Sequence, residues 1–173
     1  MGLLFRSKSK DIVYDILTDA SFANQDENLK SVTGYVLIMA TAAIVWKSVT
    51  QHNITKSTME SEAMALSAGV GETEWVRYLL QELGFPQTER TNVWCDNTAA
   101  IGDVRDPTNH KGSKHVGIAY YYAQSVYEMG HIDVKWVSTE KMIADILTKL
   151  VGLKKFEQFR SDMGVRDLRF MFP

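Results

Sequence analysis

The chain has 173 residues, 45% of them hydrophobic and 23% charged, with a formal net charge of −2 and one cysteine. Such a composition fits one globular domain; it excludes a disulfide scaffold and argues against a freestanding, strongly basic nucleic-acid binder. No apolar run reaches the roughly 18 residues that a membrane span needs.

The first ten residues carry Leu3, Leu4 and Phe5 followed by Arg6, Lys8 and Lys10. The apolar stretch is too short for a secretory signal, and Arg6 stands where a myristoylation pattern wants Ser or Thr. The expectation is an intracellular domain with no membrane partner.

Residues 11–53 read as strands. Ile12 to Leu17 is a short apolar run ending at Thr18-Asp19, and a polar stretch over 24–31 has turn composition. Gly34 to Met39 and Ala43 to Trp46 follow as two more strands with a short connection. Ser57 is an N-cap with Glu60 three residues on as a capping box, and the helix it opens runs to Leu83, where Gly84 and Pro86 stop it. Next come a strand at Val93-Trp94-Cys95, a short helix from Thr98 to Val104, and a polar loop from Arg105 to Ser113. A helix carrying Tyr120, Tyr121 and Tyr122 ends at Gly130. A strand with alternating Ile132, Val134 and Trp136 leads to a helix over 141–150. Beyond Gly152, a last amphipathic helix places Leu153, Phe156 and Phe159. The order β-β-β-α-β-α-β-α predicts an α/β domain on a mixed five-stranded sheet with helices on both faces. At helical spacing some of Tyr120–Tyr122 must face the core, so packing is favoured over base stacking, and Trp75 and Trp94 read as core. His131 reads as structural, His115 as a helix cap or a phosphate contact, and His52 and His110 as exposed loop residues. Lys8, Lys10, Lys30, Lys47, Lys111 and Lys114 are scattered positive charges.

Four acids stand out. Asp19 and Asp96 each end a predicted strand, where open α/β sheets place their sites. At about 100° per residue, Leu66, Ala65, Val76, Leu80 and Met59 fall near the direction of Glu62, whereas Glu60 points about 160° away. Glu62 is therefore an acid in a packing face, and so is Asp145 among Ile143, Ala144, Ile146 and Leu147. Buried acids need partners. If the four converge, two carboxylates at about 4 Å repel by roughly 4 kcal/mol at an effective dielectric of 20. Divalent cations would relieve that repulsion, and an all-oxygen donor set selects Mg²⁺ or Mn²⁺. Two such ions are the equipment of phosphodiester hydrolysis.

At these residues the chain resembles the ribonuclease H domain of copia-type LTR retrotransposon polyproteins. The matching segments are Thr18-Asp19-Ala20-Ser21, Lys30 to Tyr35, Trp46-Lys47-Ser48, Ser57 to Leu66, Trp75 with Leu79 to Gly84, Asp96 to Ile101, Ser113-Lys114-His115 and Ile143 to Lys149. Residues 2–6 resemble the segment that precedes the domain. The resemblance implies a ribonuclease H-like fold over residues 11–150, with 1–10 a remnant of the connecting segment and 151–173 a C-terminal helix and tail. It also implies cleavage of the RNA strand of RNA–DNA hybrids by Asp19, Glu62, Asp96 and Asp145. These would hold two Mg²⁺ ions, with Mn²⁺ as a substitute, one orienting the attacking hydroxide and one stabilising the leaving 3′-oxygen. Ser21 and Asn97, beside the catalytic aspartates, are the candidates for reading ribose 2′-hydroxyls. A reverse transcriptase, in cis or in trans, would supply much of the grip. The chain departs from the family at Gly117, usually acidic, and near Ala63, usually aromatic; no residue clearly takes the place of the loop histidine of some ribonucleases H. Two other readings stand beside this one. Arg166-Asp167-Leu168-Arg169 matches the RxLR tetrapeptide of effectors secreted into host plant cells, although no signal peptide precedes it, and the domain could be a non-catalytic relic serving as a binding module.

Overall fold

The computed structural model describes residues 1–6, 12–23, 29–52, 54–106 and 114–170. Most of the turn over 24–31, Lys8, Lys10, His110, Lys111, Ser113 and the side chains of Lys114 and His115 lie outside the described residues.

The elements follow in chain order as β1 (Gly2–Leu3), β2 (Tyr14–Ser21), β3 (Val32–Met39), β4 (Ala42–Thr50), α1 (Thr58–Glu82) and β5 (Thr91–Cys95). They continue as α2 (Thr98–Arg105), α3 (Lys114–Glu128), β6 (Ile132–Trp136), α4 (Asp145–Thr148), α5 (Leu153–Asp162) and β7 (Val165–Arg166). The main sheet has five strands in the order β4-β3-β2-β5-β6. β2, β3 and β4 pair antiparallel, whereas β5 and β6 run parallel to β2. This is the expected mixed five-stranded α/β architecture.

Alternation along the central strands builds two apolar layers. Ile16, Leu37, Val93 and Val134 join residues of α1, α2 and α3 in one cluster. Leu17 and Val36, one residue out of phase, join Met142, Ala144 and Met163 in the other. Both sheet faces are therefore covered.

Helix α1 starts as its sequence requires: the Glu60 N–H donates to Ser57 Oγ at 3.2 Å. Glu60 in turn accepts from the Lys56 N–H at 2.6 Å, one residue before the usual capping-box donor. Buried Gln51, just past β4, donates to Thr33 Oγ1 at 2.9 Å and to the Ser61 carbonyl at 3.0 Å, which ties the first turn of α1 to the sheet. The helix ends at Gly84, whose φ of +86° is the left-handed turn that glycine adopts without strain.

Three expectations are corrected. Trp75 is 56% exposed, not core. It lies 13 residues beyond Glu62, about 140° around the helix, so periodicity places it away from the packing face. Trp94 is only partly buried, on the opposite sheet face from Val93 and Cys95. The helix over 141–150 shrinks to the four residues of α4, preceded by a 3-10 turn at Thr139–Lys141 and ended by Lys149 in extended conformation. Of the tyrosine run, Tyr120 is buried while Tyr121 and Tyr122 are 53% and 40% exposed. Of the apolar residues placed on α5, Phe159 is 1% exposed, but Leu153 and Phe156 are 74% and 43% exposed.

The two-stranded sheet of β1 and β7 is absent from the sequence reading. Gly2 pairs with Arg166 and Leu3 with Val165, and the Leu4 N–H donates to the Gly164 carbonyl at 2.9 Å. The Ala43 N–H donates to the Met163 carbonyl at 2.9 Å, fastening the clasp to β4.

Candidate active site

β2 carries Asp19 third from its end; the strand runs two residues further than expected, to Ser21. Asp96 follows the last residue of β5. Because β2 and β5 are parallel neighbours, the two aspartates meet at one end of the sheet. α1 brings Glu62 over this end, and α4 brings Asp145 from the opposite face, as its first residue rather than in mid-helix. Carboxylate oxygens of Asp19, Asp96 and Asp145 lie within 4.8 Å of one another, as do oxygens of Glu62 and Asp96 together with Cys95 Sγ. The four acids therefore converge, with Asp96 common to both groups. Three are nearly inaccessible, Asp19 at 1%, Glu62 at 4% and Asp145 at 0%, whereas Asp96 is partly exposed.

The close approach of α4 depends on Gly34. In the antiparallel register Gly34 faces Asp19 on one side and Ser48 on the other. A Cβ at Gly34 would meet Thr148 Cγ2 at 2.5 Å and the Ala144 carbonyl at 3.1 Å. Ser48 Oγ donates to the Leu147 carbonyl at 2.5 Å, which pins α4 across this row. Thr148 Oγ1 then donates to Asp19 Oδ2.

The cluster carries its own cations. Lys149 Nζ lies 2.9 Å from Asp145 Oδ1 and 3.7 Å from Asp19 Oδ2, and Lys155 Nζ, from α5, lies 2.7 Å from Asp145 Oδ2. Lys155 also rests on the Phe159 ring at 5.2 Å. Thr139 Oγ1 donates to Asp96 Oδ2 at 3.0 Å.

Burial dominates the proton chemistry. Desolvation pushes Glu62 up to about 9, reinforced by the charges of Asp19 and Asp96 and opposed by the Ala20 backbone and Lys149. Desolvation likewise raises Asp19 to about 6, against the Thr148 hydroxyl and the Lys149 ammonium. Glu62 Oε2 is buried with no hydrogen-bond partner among the described residues. An oxygen-rich donor set with an unsatisfied buried oxygen on Glu62 and mutual carboxylate repulsion fits a divalent hard cation.

Lys149, Lys155, Thr139, Thr148 and Cys95 are site residues that the sequence reading did not single out. Lys149 carried a signal, because it stands four residues after Asp145 and so shares its helical face. Cys95 precedes Asp96. Lys155 and Thr139 arrive by tertiary folding alone. Ser21 lies two residues beyond Asp19 on β2, hence on the same sheet face. Asn97 caps α2, its Oδ1 accepting from the Ala99 and Ala100 N–H groups at 3.0 and 3.1 Å, which leaves the amide NH₂ as its remaining donor. His131 does pair structurally, with Nδ1 2.8 Å from Glu74 Oε2. The Arg166–Arg169 tetrapeptide is folded into the terminal clasp, with Arg166 donating to the Ser161 carbonyl at 2.5 Å and Arg169 paired with Asp167.

No protein-family model matches the chain. It is 30% identical over 162 residues to the Retrovirus-related Pol polyprotein from transposon RE1 of Arabidopsis thaliana, which covers 94% of the chain. It is 34% identical over 148 residues to the corresponding polyprotein from transposon TNT 1-94 of Nicotiana tabacum, covering 86% of the chain. The chain spans 11% of the length of each of these relatives. Among solved structures it is similar to LC11-RNase H1, a protein isolated from compost, in complex with an RNA/DNA hybrid. That similarity has a TM-score of 0.58 at 12% identity and covers 78% of this chain and 93% of that one. A foamy viral protease-reverse transcriptase in complex with RNA/DNA hybrid gives a TM-score of 0.55 at 14% identity, over 86% of this chain and 22% of that one. At these identities the likeness establishes a ribonuclease H-like fold.

Proposed function

The chain belongs to the family of copia-type retrotransposon Pol polyproteins, and on that premise we propose that it hydrolyses the RNA strand of RNA–DNA hybrids. The observation that carries the reading is the convergence of Asp19, Glu62, Asp96 and Asp145 at one end of the sheet. Hybrids bound to LC11-RNase H1 and to the foamy viral protein support the choice of substrate.

Asp19, Glu62, Asp96 and Asp145 would hold two Mg²⁺ ions, for which Mn²⁺ would substitute. Those ions, when bound, supply the positive charge that activates a water and stabilises the leaving oxygen. The protein's own part is positioning. Gly34 and Ser48 set α4 against β3, Thr148 aims Asp19, and the two lysines hold Asp145 by both oxygens. Thr139 orients Asp96. In the balanced reaction water adds to phosphorus and the P–O3′ bond breaks. The water's protons are shared between solvent and the leaving oxygen, giving 5′-phosphate and 3′-hydroxyl ends. Ser21 and the Asn97 NH₂ would contact the ribose 2′-hydroxyls. The domain would work with a reverse transcriptase, in cis or in trans, inside the cell. No helix among the described residues is long and apolar enough to cross a membrane.

The test is cleavage of a labelled RNA–DNA hybrid by the full chain at low salt, with Mg²⁺ or Mn²⁺. Metal-dependent cutting of the RNA strand, abolished in a folded Asp96→Asn variant, is the expected result. No cutting by folded wild-type chain with either ion, alone or with the polymerase portion of the polyprotein added, would turn the reading to a non-catalytic relic.

A further inference from the structure

The second group of ligating atoms differs in kind from the first. Asp19, Asp96 and Asp145 offer only oxygen, but Glu62 and Asp96 are joined by a sulfur. Cys95 closes β5, is fully buried, and is the sole cysteine of the chain. Alternation along β5 turns its side chain toward α1, the side from which Glu62 enters.

We propose that Cys95 Sγ, Glu62 and Asp96 form a site for a thiophilic divalent cation such as Zn²⁺ or Cd²⁺. Two observations carry this. The three ligating atoms lie within 4.8 Å of one another. Zinc ligated by sulfur at about 2.3 Å and oxygen at about 2.1 Å holds such atoms about 3.5 Å apart. Binding would draw the three ligands together, and Asp96 is the partly exposed one of them, Cys95 and Glu62 being buried. Second, Glu62 Oε2 is buried with no hydrogen-bond partner among the described residues. In the metal-free chain the thiol is hydrogen-bonded to Asn97, whose N–H donates to Sγ at 3.4 Å and whose carbonyl accepts from Sγ at 3.8 Å, and a bound cation would displace the second of these bonds.

Ligand softness gives the site its selectivity. Thiolate prefers Zn²⁺ and Cd²⁺ and is ignored by Mg²⁺, which requires oxygen. Binding expels the thiol proton to solvent as the metal–sulfur bond forms, so no redox partner is involved. Because Asp96 serves both groups, a soft cation and a hard one compete for it. A thiophilic ion would thus act as an antagonist of Mg²⁺ at this end of the sheet. The proposal does not depend on the nuclease reading, since its readout is the metal–sulfur bond itself.

The experiment is a Cd²⁺ titration of the full chain in Mg²⁺-free buffer, followed by the ultraviolet thiolate-to-cadmium charge-transfer band. With one cysteine in the chain, the band reports Cys95 alone. The expected result is saturation at one equivalent, loss of the band on adding excess Zn²⁺, and a rise in the apparent Kd when Mg²⁺ is present. Glu62→Gln and Asp96→Asn, each checked by circular dichroism, should weaken Cd²⁺ at least tenfold. Should one variant fail to fold, the other decides. Absence of the band at saturating Cd²⁺ would overturn the site, and so would unchanged affinity in a folded acid variant. Hybrid cleavage with Mg²⁺ in a chain that gives no band would sink this proposal and leave the nuclease reading standing.

Discussion

Gly34 on β3 stands opposite Asp19 on β2, and the space where its side chain would be is filled by Thr148, which donates to the Asp19 carboxylate. A glycine with no catalytic group thus governs how near α4 comes to the sheet. Gly34→Ala would drive a methyl into Thr148 Cγ2, 2.5 Å away, and Leu147 Cβ, 3.0 Å away, so α4 must move outward. Overpacking of this kind costs about 1–3 kcal/mol, and displacing a ligand-bearing element by about 1 Å reduces rate by roughly 100-fold. Urea denaturation should show the first effect and hybrid cleavage the second. Wild-type rates in Gly34→Ala would mean that the position of α4 is not critical.

Glu62 governs how the metal-free protein responds to pH. Its folded value of about 9 lies well above the ordinary 4.5, because burial disfavours the ionised form. Below pH 4.5 the folded and unfolded chains both keep the proton, and its contribution is complete. As pH rises toward 9 the unfolded chain releases the proton while the folded chain retains it, and stability falls by up to about 1.4 kcal/mol per pH unit. Asp19 adds to the slope between its ordinary 3.8 and about 6. Glu62→Gln should therefore unfold about 5 °C or more above wild type at pH 8 without metal, and close to wild type at pH 4. Calorimetry at the two pH values is the check; parallel curves for the two proteins would show that Glu62 does not carry the penalty.

The regular period of α1 makes Glu62 legible in the sequence as a buried acid, and the same period turns Trp75 outward although its residue type suggests core. Asp19 and Asp96 are legible because an apolar run points to a strand and an acid after it points to a sheet end. Their meeting with Asp145 is not legible, since it depends on strand order and on α4. That helix has four residues, too few for any period to register. β1 and β7 have two residues each, so their pairing is visible only once the termini meet. Lys155 is ten residues from Asp145 on a separate helix, and nothing in local spacing links them.

Lys155 and Lys149 share the charge of Asp145, each on its own oxygen. Lys155→Met keeps the aliphatic stem on Phe159 but leaves a fully buried carboxylate with one cation. Removing a whole buried partner costs about 3–5 kcal/mol; with Lys149 still in place the loss should be roughly 1–3 kcal/mol. Added Mg²⁺ should restore part of it, so the thermal shift on adding Mg²⁺ should exceed that of wild type. Thermal melts with and without Mg²⁺ measure both. An equal Mg²⁺ shift in the two proteins would show that the lysine and the cation do not compete for Asp145.

The C-terminal helix should prove inseparable from the domain, although the sequence reading ends the domain at residue 150. Phe159 is 1% exposed, Met163 joins the second apolar cluster, and Gly164 at φ +79° turns the chain into β7 against Ala42. Phe159→Ala removes an aromatic ring from a closed core, at about 3–5 kcal/mol. It also removes the surface on which Lys155 rests, so Asp145 loses a support that lies outside the expected boundary. Equilibrium unfolding should show one cooperative transition moved to lower denaturant, and Mg²⁺ should stabilise the variant less than wild type. A variant that unfolds in two steps, with the first insensitive to Mg²⁺, would instead make residues 151–173 a separate appendage.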